Sequence, residues 1–394
     1  MVAVAPVSDK TSLVPVPMLD FRREFAVIRA EVLAAIEAVC EGQRFILGPE
    51  VERFERAAAK ACGVNHAVGC ASGTDALWLA MAALEIGPDD SVITTPFSFF
   101  ATVSSILRAE AKPLLADIDE RTFNLSPDSV QQAVELQKIK GRKIAAVMPV
   151  HLYGQCADMT AFSKLAEEHN LKVIEDAAQA FGATWNGVKA GALGDIAAFS
   201  FYPTKNLAAF GDAGMVTTND PALAERSRML RAHGMRQRYF HDEVGWNSRL
   251  DTLQAAVLEV KLRRVDAGNA RRRELASNYD KLLTAAGLTG KTTADGVVLP
   301  WTDPRAGHVF HQYVVRAPKR DALREFLTGH GIGTEVYYPQ PLHQQTALSD
   351  LGYKLGDFPV AERTAAEVLA LPMYPELRED EQESVVEAIR EFYR

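Results

Sequence analysis

The chain has 394 residues, 47% of them apolar and 24% charged, with a formal net charge of −8. That length suits one large domain plus a smaller one, and the composition is that of a soluble globular protein. The negative balance, without any long Lys/Arg run, argues against nucleic acid as a partner, and no stretch reaches the roughly 18 apolar residues of a membrane span.

The first 17 residues are rich in Val, Ala and Pro, carry an acid and lack both a basic start and a long apolar core. That is not a signal-peptide pattern, so an extended arm and a cytoplasmic protein are expected. Cys40, Cys62, Cys70 and Cys156 form no Cys-x-x-Cys pair and no zinc spacing, which fits reduced thiols and no metal centre. Phe25, Ile28, Val32 and Ile36 recur at helical spacing within a helix over Phe21–Val39. A second helix is predicted over Glu50–Ala61, after Gly48-Pro49.

From Asn65 onward strands and helices alternate. Strands are predicted at His66–Cys70, Ser91–Thr95, Lys112–Ala116, Ile144–Pro149, Lys172–Glu175, Ile196–Phe201 and Gly214–Thr218. Helices are predicted at Asp75–Glu85, Phe100–Ala109 and Met159–Glu168, the last capped by Asp158. Such alternation implies right-handed crossovers and a mostly parallel sheet, an α/β fold. Long helices follow from Leu250 to about Ala285, with Leu253, Val257, Val260 and Arg264 on one face. A strand at Gln312–Arg316 and helices at Asp321–His330 and Ala361–Leu369 complete a smaller α/β domain. The expected division is residues 18–264 for the arm and large domain and 265–394 for the small one.

Three stations could carry chemistry. Ser72-Gly73-Thr74-Asp75 lies between a strand and a helix, where backbone N–H groups and the helix dipole attract an anion; helix capping alone also accounts for it. Glu175-Asp176 ends a buried-type strand, which is where ligands sit in open α/β sheets. A carboxylate there needs a cation such as a protonated pyridine ring, or merely caps the next turn. Lys205 stands in a turn rich in Ser, Thr and Pro directly after an apolar strand. Most lysines are surface charges, yet lysine is the residue that forms Schiff bases once burial lowers its pKa.

The order of these stations, with the segments Ala71–Leu77, Glu175–Ala180, Phe199–Asn206 and Gly245–Ala256, closely resembles the DegT/DnrJ/EryC1/StrS family of sugar aminotransferases from about Met18 to the C-terminus. The resemblance implies a fold-type-I pyridoxal phosphate (PLP) transferase, a mostly parallel sheet flanked by helices plus a smaller C-terminal domain, and a homodimer with shared active sites. By position, Lys205 matches the lysine that holds the cofactor and Asp176 the acid facing its pyridine nitrogen. Gln179 matches the residue beside the ring oxygen, and Phe99 the aromatic stacked on the ring. Gly73, Thr74 and Ser200 match the phosphate cradle, and Asn247 the asparagine reaching the phosphate from the other subunit. Many members carry His where this chain has Phe181.

The implied reaction takes an amino group, by resemblance from glutamate, to a nucleotide-linked keto sugar. The stretches His233–Tyr239, Val336–Pro339 and Pro341–His343 resemble members that aminate C3 of TDP- or UDP-linked 3-keto sugars; amination at C4 of a 4-keto-6-deoxy sugar is the alternative. Arg236, Tyr239, His308 and Tyr338 are the substrate candidates. Arg231, Arg236 and Arg238 could meet a diphosphate or carboxylate or simply face solvent. His308 and His311 could suggest a metal, although a strand start with one inward ring explains their spacing. A sugar dehydratase on the same fold has His in place of the lysine, so Lys205 speaks against it. A non-catalytic regulator is opposed by the filled positions Lys205, Asp176 and Gln179. A Rossmann NAD enzyme would need a Gly-x-Gly-x-x-Gly after its first strand, and none is present.

Overall fold

The computed structural model describes residues 14–139 and 143–394. Most of the predicted extended arm lies outside the described residues; its last part, at Val16, bridges Ile332 in parallel. The chain opens with two helices, α1 (Phe21–Gly42) and α2 (Pro49–Cys62). The alternating region follows as β1 (His66–Cys70), α3 (Gly73–Ala83), β2 (Ser91–Thr94), α4 (Ala101–Arg108), β3 (Lys112–Leu115), α5 (Pro127–Ile139), β4 (Ile144–Val147), α6 (Met159–His169) and β5 (Lys172–Asp176). Two short strands, β6 (Thr184–Trp185) and β7 (Val188–Lys189), precede β8 (Ile196–Ser200), β9 (Gly214–Thr218) and α7 (Pro221–Leu230). A small hairpin of β10 (Met235–Gln237) and β11 (Phe240–His241) leads to α8 (Thr252–Leu262) and α9 (Val265–Ala285). The remainder is β12 (Ala306–Gly307), β13 (Tyr313–Arg316), α10 (Arg320–Gly329), α11 (Pro359–Glu367), β14 (Val368–Leu371) and α12 (Glu379–Tyr393).

The central sheet has seven strands in the order β1-β9-β8-β5-β4-β2-β3. From β8 to β3 every pairing is parallel. β9 is antiparallel to both β1 and β8, so β1 runs in the same direction as the parallel strands. The C-terminal ends of β1, β2, β5 and β8 therefore open on one edge, and Gly73, Phe99, Asp176 and Lys205 stand at or just after those ends. Parallel strands covered on both faces read as continuous apolar runs, which is why these strands were legible. Successive side chains point to opposite faces: Val173, Ala197, Phe199 and Met215 join a core with α2, α6 and α8. Ile174, Ile196, Ala198 and Val216 join a second core with α3 and α7. A third core unites β13, β14 and α10–α12 with Phe97, Leu115 and Tyr153.

One predicted element is corrected. The helix expected over Ala361–Leu369 stops at Glu367. Val368-Leu369-Ala370-Leu371 is a fully buried strand paired antiparallel with β13. Its side chains fill the third core on both faces, so its periodicity could not distinguish strand from helix. Asp158 does cap α6, accepting from the Ala161 N–H at 3.1 Å. The long helical stretch after Leu250 is two helices, broken at Arg263-Arg264. No helix among the described residues is long and apolar enough to cross a membrane.

Candidate active site

At the β1–α3 turn, Ser72 is the N-cap: its hydroxyl accepts from Asp75 N–H at 3.1 Å and its carbonyl from Ala76 N–H at 2.9 Å. The capping role is real, and it leaves the Gly73 and Thr74 N–H groups as first-turn donors without intrahelical acceptors. Two glycines bring backbones together here. A Cβ on Gly73 would meet the Ser200 Cβ at 2.5 Å, and one on Gly214 would meet the Ser72 carbonyl oxygen at 2.2 Å. The helix N-terminus and the Ser200 hydroxyl thus lie side by side, a donor set that could hold an anion. Asp75 ties the loop around Asn247 to this point, accepting from the Ser248 hydroxyl at 2.9 Å and from Arg108 at 3.0 Å.

The two acids ending β5 take opposite fates because alternate residues face opposite sides. Glu175 turns to the face of the first core. It accepts from the N–H groups of Gly191, Leu193 and Gly194 at 2.8, 2.7 and 2.8 Å, and pairs with His151 Nε2 at 2.9 Å. The His151 proton sits on Nε2, because Nδ1 accepts from Ala157 N–H at 3.2 Å. Every lone pair of Glu175 is thereby occupied in shaping the 188–194 loop. Asp176 faces the other way and is 4% exposed. Among the described residues its carboxylate takes a hydroxyl proton from Thr102 at 2.7 Å and the Ala178 N–H at 3.3 Å, and no direct cation. Burial raises its pKa above the usual aspartate value; the Thr102 bond, the Ala178 bond and the more distant Lys205 and His151 oppose that rise.

Lys205 closes a tight turn after β8, its N–H bonding the Tyr202 carbonyl at 2.9 Å. The side chain keeps a partly exposed surface, while the protein packed around its ammonium lowers its pKa to about 8, against the pull of Asp176. The next residue anchors the turn. Asn206 donates to Asn269 at 2.7 Å and to the Val309 carbonyl at 3.1 Å, and accepts from His311 Nδ1 at 3.2 Å. His311 is buried, and burial together with the nearby Lys205 holds its ring neutral.

Gln179 is buried with its amide orientation fixed at both ends. Its oxygen accepts from Tyr153 N–H at 2.6 Å and its nitrogen donates to the Tyr338 hydroxyl at 3.0 Å. Phe99 is 59% exposed beside the Tyr338 ring, with centroids 6.3 Å apart. Lys205, Asp176, Gln179, Gly73, Thr74, Ser200, Phe99 and Tyr338 thus gather at one sheet edge. The others differ. Asn247 is exposed, and Arg236 and Tyr239 lie on the exposed β10–β11 hairpin, with Arg236 paired to Asp242 at 3.0 Å. His308 is buried, stacked on Phe310 at 3.8 Å, and burial lowers its pKa to about 3. Arg231 turns inward to Glu55 and the Gly69 carbonyl and so has no solvated face. Phe181 packs among Phe199 and Phe201 in the first core. Sequence reasoning gave no positioning role to Thr102, Asn206 or His311: Thr102 lies three residues after Phe99 without any spacing signal of its own, Asn206 stood only as the end of Phe199–Asn206, and His311 was weighed only as a metal ligand.

A buried acid and a lysine beside a helix N-terminus, at the carboxyl edge of a mostly parallel sheet, stand on the fold of the fold-type-I aminotransferases. The solved structure of Streptomyces venezuelae DesV in complex with a ketimine intermediate shares the fold, with a TM-score of 0.90 and 44% identity over 96% of this chain and 98% of that one. Residues 26–390 match the DegT/DnrJ/EryC1/StrS aminotransferase family, to which this chain belongs. Among its relatives, a pleiotropic regulatory protein of Geobacillus stearothermophilus is 49% identical, covering 96% of this chain and 99% of that protein. A dTDP-3-amino-3,4,6-trideoxy-alpha-D-glucose transaminase of S. venezuelae is 42% identical over 98% of each chain.

Proposed function

We propose that this chain is a PLP-dependent aminotransferase that carries an amino group from glutamate to C3 of a TDP- or UDP-linked 3-keto hexose. The observation that carries the reading is Asp176, a buried carboxylate without a direct cationic partner among the described residues, in the field of an amine with a pKa near 8. The residues fit the cofactor: a buried acid lacking a cation suits a pyridinium nitrogen, and the cradle of Gly73, Thr74 and Ser200 suits a phosphate. When bound, PLP supplies an aldehyde for the amine and a ring that withdraws electrons from the reacting carbon.

Each residue then has a physical task. Asp176 keeps the proton on the ring nitrogen. The Lys205 amine, neutral in appreciable part near neutral pH, would hold the cofactor through its aldehyde with loss of water and, once displaced by the donor's amine, would carry the proton that has to move. Gln179 would meet the ring oxygen of the bound cofactor, and Phe99 would cover one face of its ring. Arg236, Tyr239, His308 and Tyr338 are assigned to the sugar nucleotide. Asn247 reaches a phosphate in a second copy of the chain. A homodimer is supported by the large apolar side chains left exposed near this edge, including Phe45, Ile46, Phe99, Tyr202 and Phe210. The reading keeps residues 18–264 as the cofactor-binding domain and 265–394 as the small one, supported by the packing of β13, β14 and α10–α12 around one core, to which Phe97, Leu115 and Tyr153 of the larger part also contribute. It places the protein in the cytoplasm.

The test of the reaction is a substrate panel. Protein with PLP and glutamate is offered TDP- and UDP-linked 3-keto sugars and a TDP-4-keto-6-deoxy sugar, and products are read by mass spectrometry. Amination of a 3-keto sugar supports the reading; amination of the 4-keto sugar alone overturns the C3 assignment. Loss of water instead of gain of nitrogen would indicate a dehydratase. A regulator without turnover is the second reading, favoured by the name of the Geobacillus relative. A protein that turns yellow with PLP but neither bleaches with glutamate nor aminates any sugar would establish it.

The amine of Lys205 also sets a pH dependence for cofactor capture. Only the neutral amine attacks an aldehyde. Uptake of PLP by the apoprotein should therefore rise with pH up to about 8 and then level off. An ordinary lysine would keep accelerating to about pH 10.4. Stopped-flow absorbance across pH 6 to 10 distinguishes the two.

A further inference from the structure

Two buried hydroxyls stand behind Asp176. Ser98 is 4% exposed and Thr102 1%. The Ser98 Oγ lies 2.8 Å from the Thr102 Oγ1, which lies 2.7 Å from the Asp176 Oδ2. An ionised carboxylate can only accept, so Thr102 donates to Asp176 and Ser98 donates to Thr102. The proton order is thereby fixed in one direction, and each bond polarises the next. The arrangement follows from local structure. Thr102 sits in the first turn of α4, its N–H bonded to the Phe99 carbonyl at 3.2 Å, so the same turn that presents the Phe99 ring turns a hydroxyl inward to β5.

Neighbouring hydroxyls are spent otherwise: Thr94 donates to the Met148 carbonyl at 2.8 Å and Thr95 accepts from Phe97 N–H at 3.0 Å. The groups acting on Asp176 are few. Its Oδ1 takes the Ala178 N–H at 3.3 Å. Lys205, after β8, and His151, after β4, act through space. Burial favours the neutral acid, and the Thr102 hydroxyl is the largest influence opposing it.

Resting on the reading of Asp176 above, we propose that Ser98 and Thr102 are positioning residues, a two-hydroxyl relay that keeps Asp176 ionised and aimed at the ring nitrogen. Thr102→Val preserves the shape of the side chain and removes the donor. Asp176 then holds the ring proton less firmly, the ring carries less positive charge, and the nitrogen contributed by Lys205 keeps its own proton to higher pH. The readout is the pH midpoint of the bound cofactor's visible absorbance. Loss of one hydrogen bond to a charged group amounts to roughly a tenfold change in an equilibrium, so the midpoint should rise by about one unit.

Thr102→Ser restores the donor and should restore the wild-type midpoint. Ser98→Ala leaves Thr102 packed in place and should give a smaller shift in the same direction; it carries the test if Thr102→Val does not fold. A hydroxyl that merely pinned α4 to β5 would lower thermal stability and leave the midpoint unmoved. An unshifted midpoint in coloured Thr102→Val or Ser98→Ala protein overturns the relay alone. A wild-type protein that takes up no PLP overturns the reading of Asp176, and the relay with it.

Discussion

Replacing Lys205 with Ala should lower amino transfer by at least about 10⁴-fold, because one substitution removes both a nucleophile and a proton carrier, and proton transfer alone contributes roughly 10²–10⁴-fold. The variant should still bind PLP through the cradle of Gly73, Thr74 and Ser200, reversibly and without the colour of the lysine-linked cofactor. Turnover within tenfold of wild type would remove Lys205 from the chemistry.

The same residue should cost the apoprotein stability. The folded pKa near 8 lies below the roughly 10.4 of an unfolded lysine. The unfolded chain therefore holds the proton more tightly, and stability rises with pH between those two values. Below about pH 8 the full penalty of burying the ammonium is present. Apo Lys205→Met, which keeps the apolar stem, should accordingly unfold at higher denaturant than wild type at pH 7. The difference should shrink as pH climbs from about 8 toward 10.4. An active-site lysine that weakens its own fold is the usual exchange of stability for function. A variant less stable than wild type at pH 7 would mean that the ammonium is a structural partner.

How much of this was legible in the sequence depended on whether the signal was local. The seven strands of the central sheet could be read because two covered faces make apolar runs, whereas the short β6 and β7 carried no such run, and Ser72 and Asp158 announced helix starts by their side chains. The stretch Val368–Leu371 could not be read as a strand, since its neighbour β13 lies more than fifty residues away and an apolar quartet has no period. The site divided along the same line. Lys205, Asp176 and the turn at Gly73 stand at strand ends, where the fold itself directs attention. Thr102 and His311 matter through contacts with β5 and Asn206 that only the closed fold creates. Alternation fixed that Glu175 and Asp176 diverge but not which one turns toward Lys205; only the family resemblance picked out Asp176.

That divergence makes the second large effect a paired one. Asp176→Asn should cut amino transfer by about 10²–10⁴-fold, since removing one partner of a buried ion pair costs roughly 3–5 kcal/mol. Its apoprotein should be at least as stable as wild type at pH 7. The folded pKa of Asp176 is raised by burial, so the ionised form carries a penalty at neutral pH that fades as pH falls toward the ordinary aspartate value near 3.9. Glu175→Gln should behave in the opposite way. Its new NH₂ group would face two donors whichever oxygen it replaces, Leu193 and Gly194 N–H or Gly191 N–H and His151, and disrupting those charge-assisted bonds should destabilise the fold by at least about 3 kcal/mol. Denaturant melts of the apoproteins and activities of the PLP-loaded ones place each variant on both axes. If Asp176→Asn stays active while Glu175→Gln stays stable and loses turnover, the roles of the two carboxylates have been exchanged, and the chemistry lies on the side of Gly191.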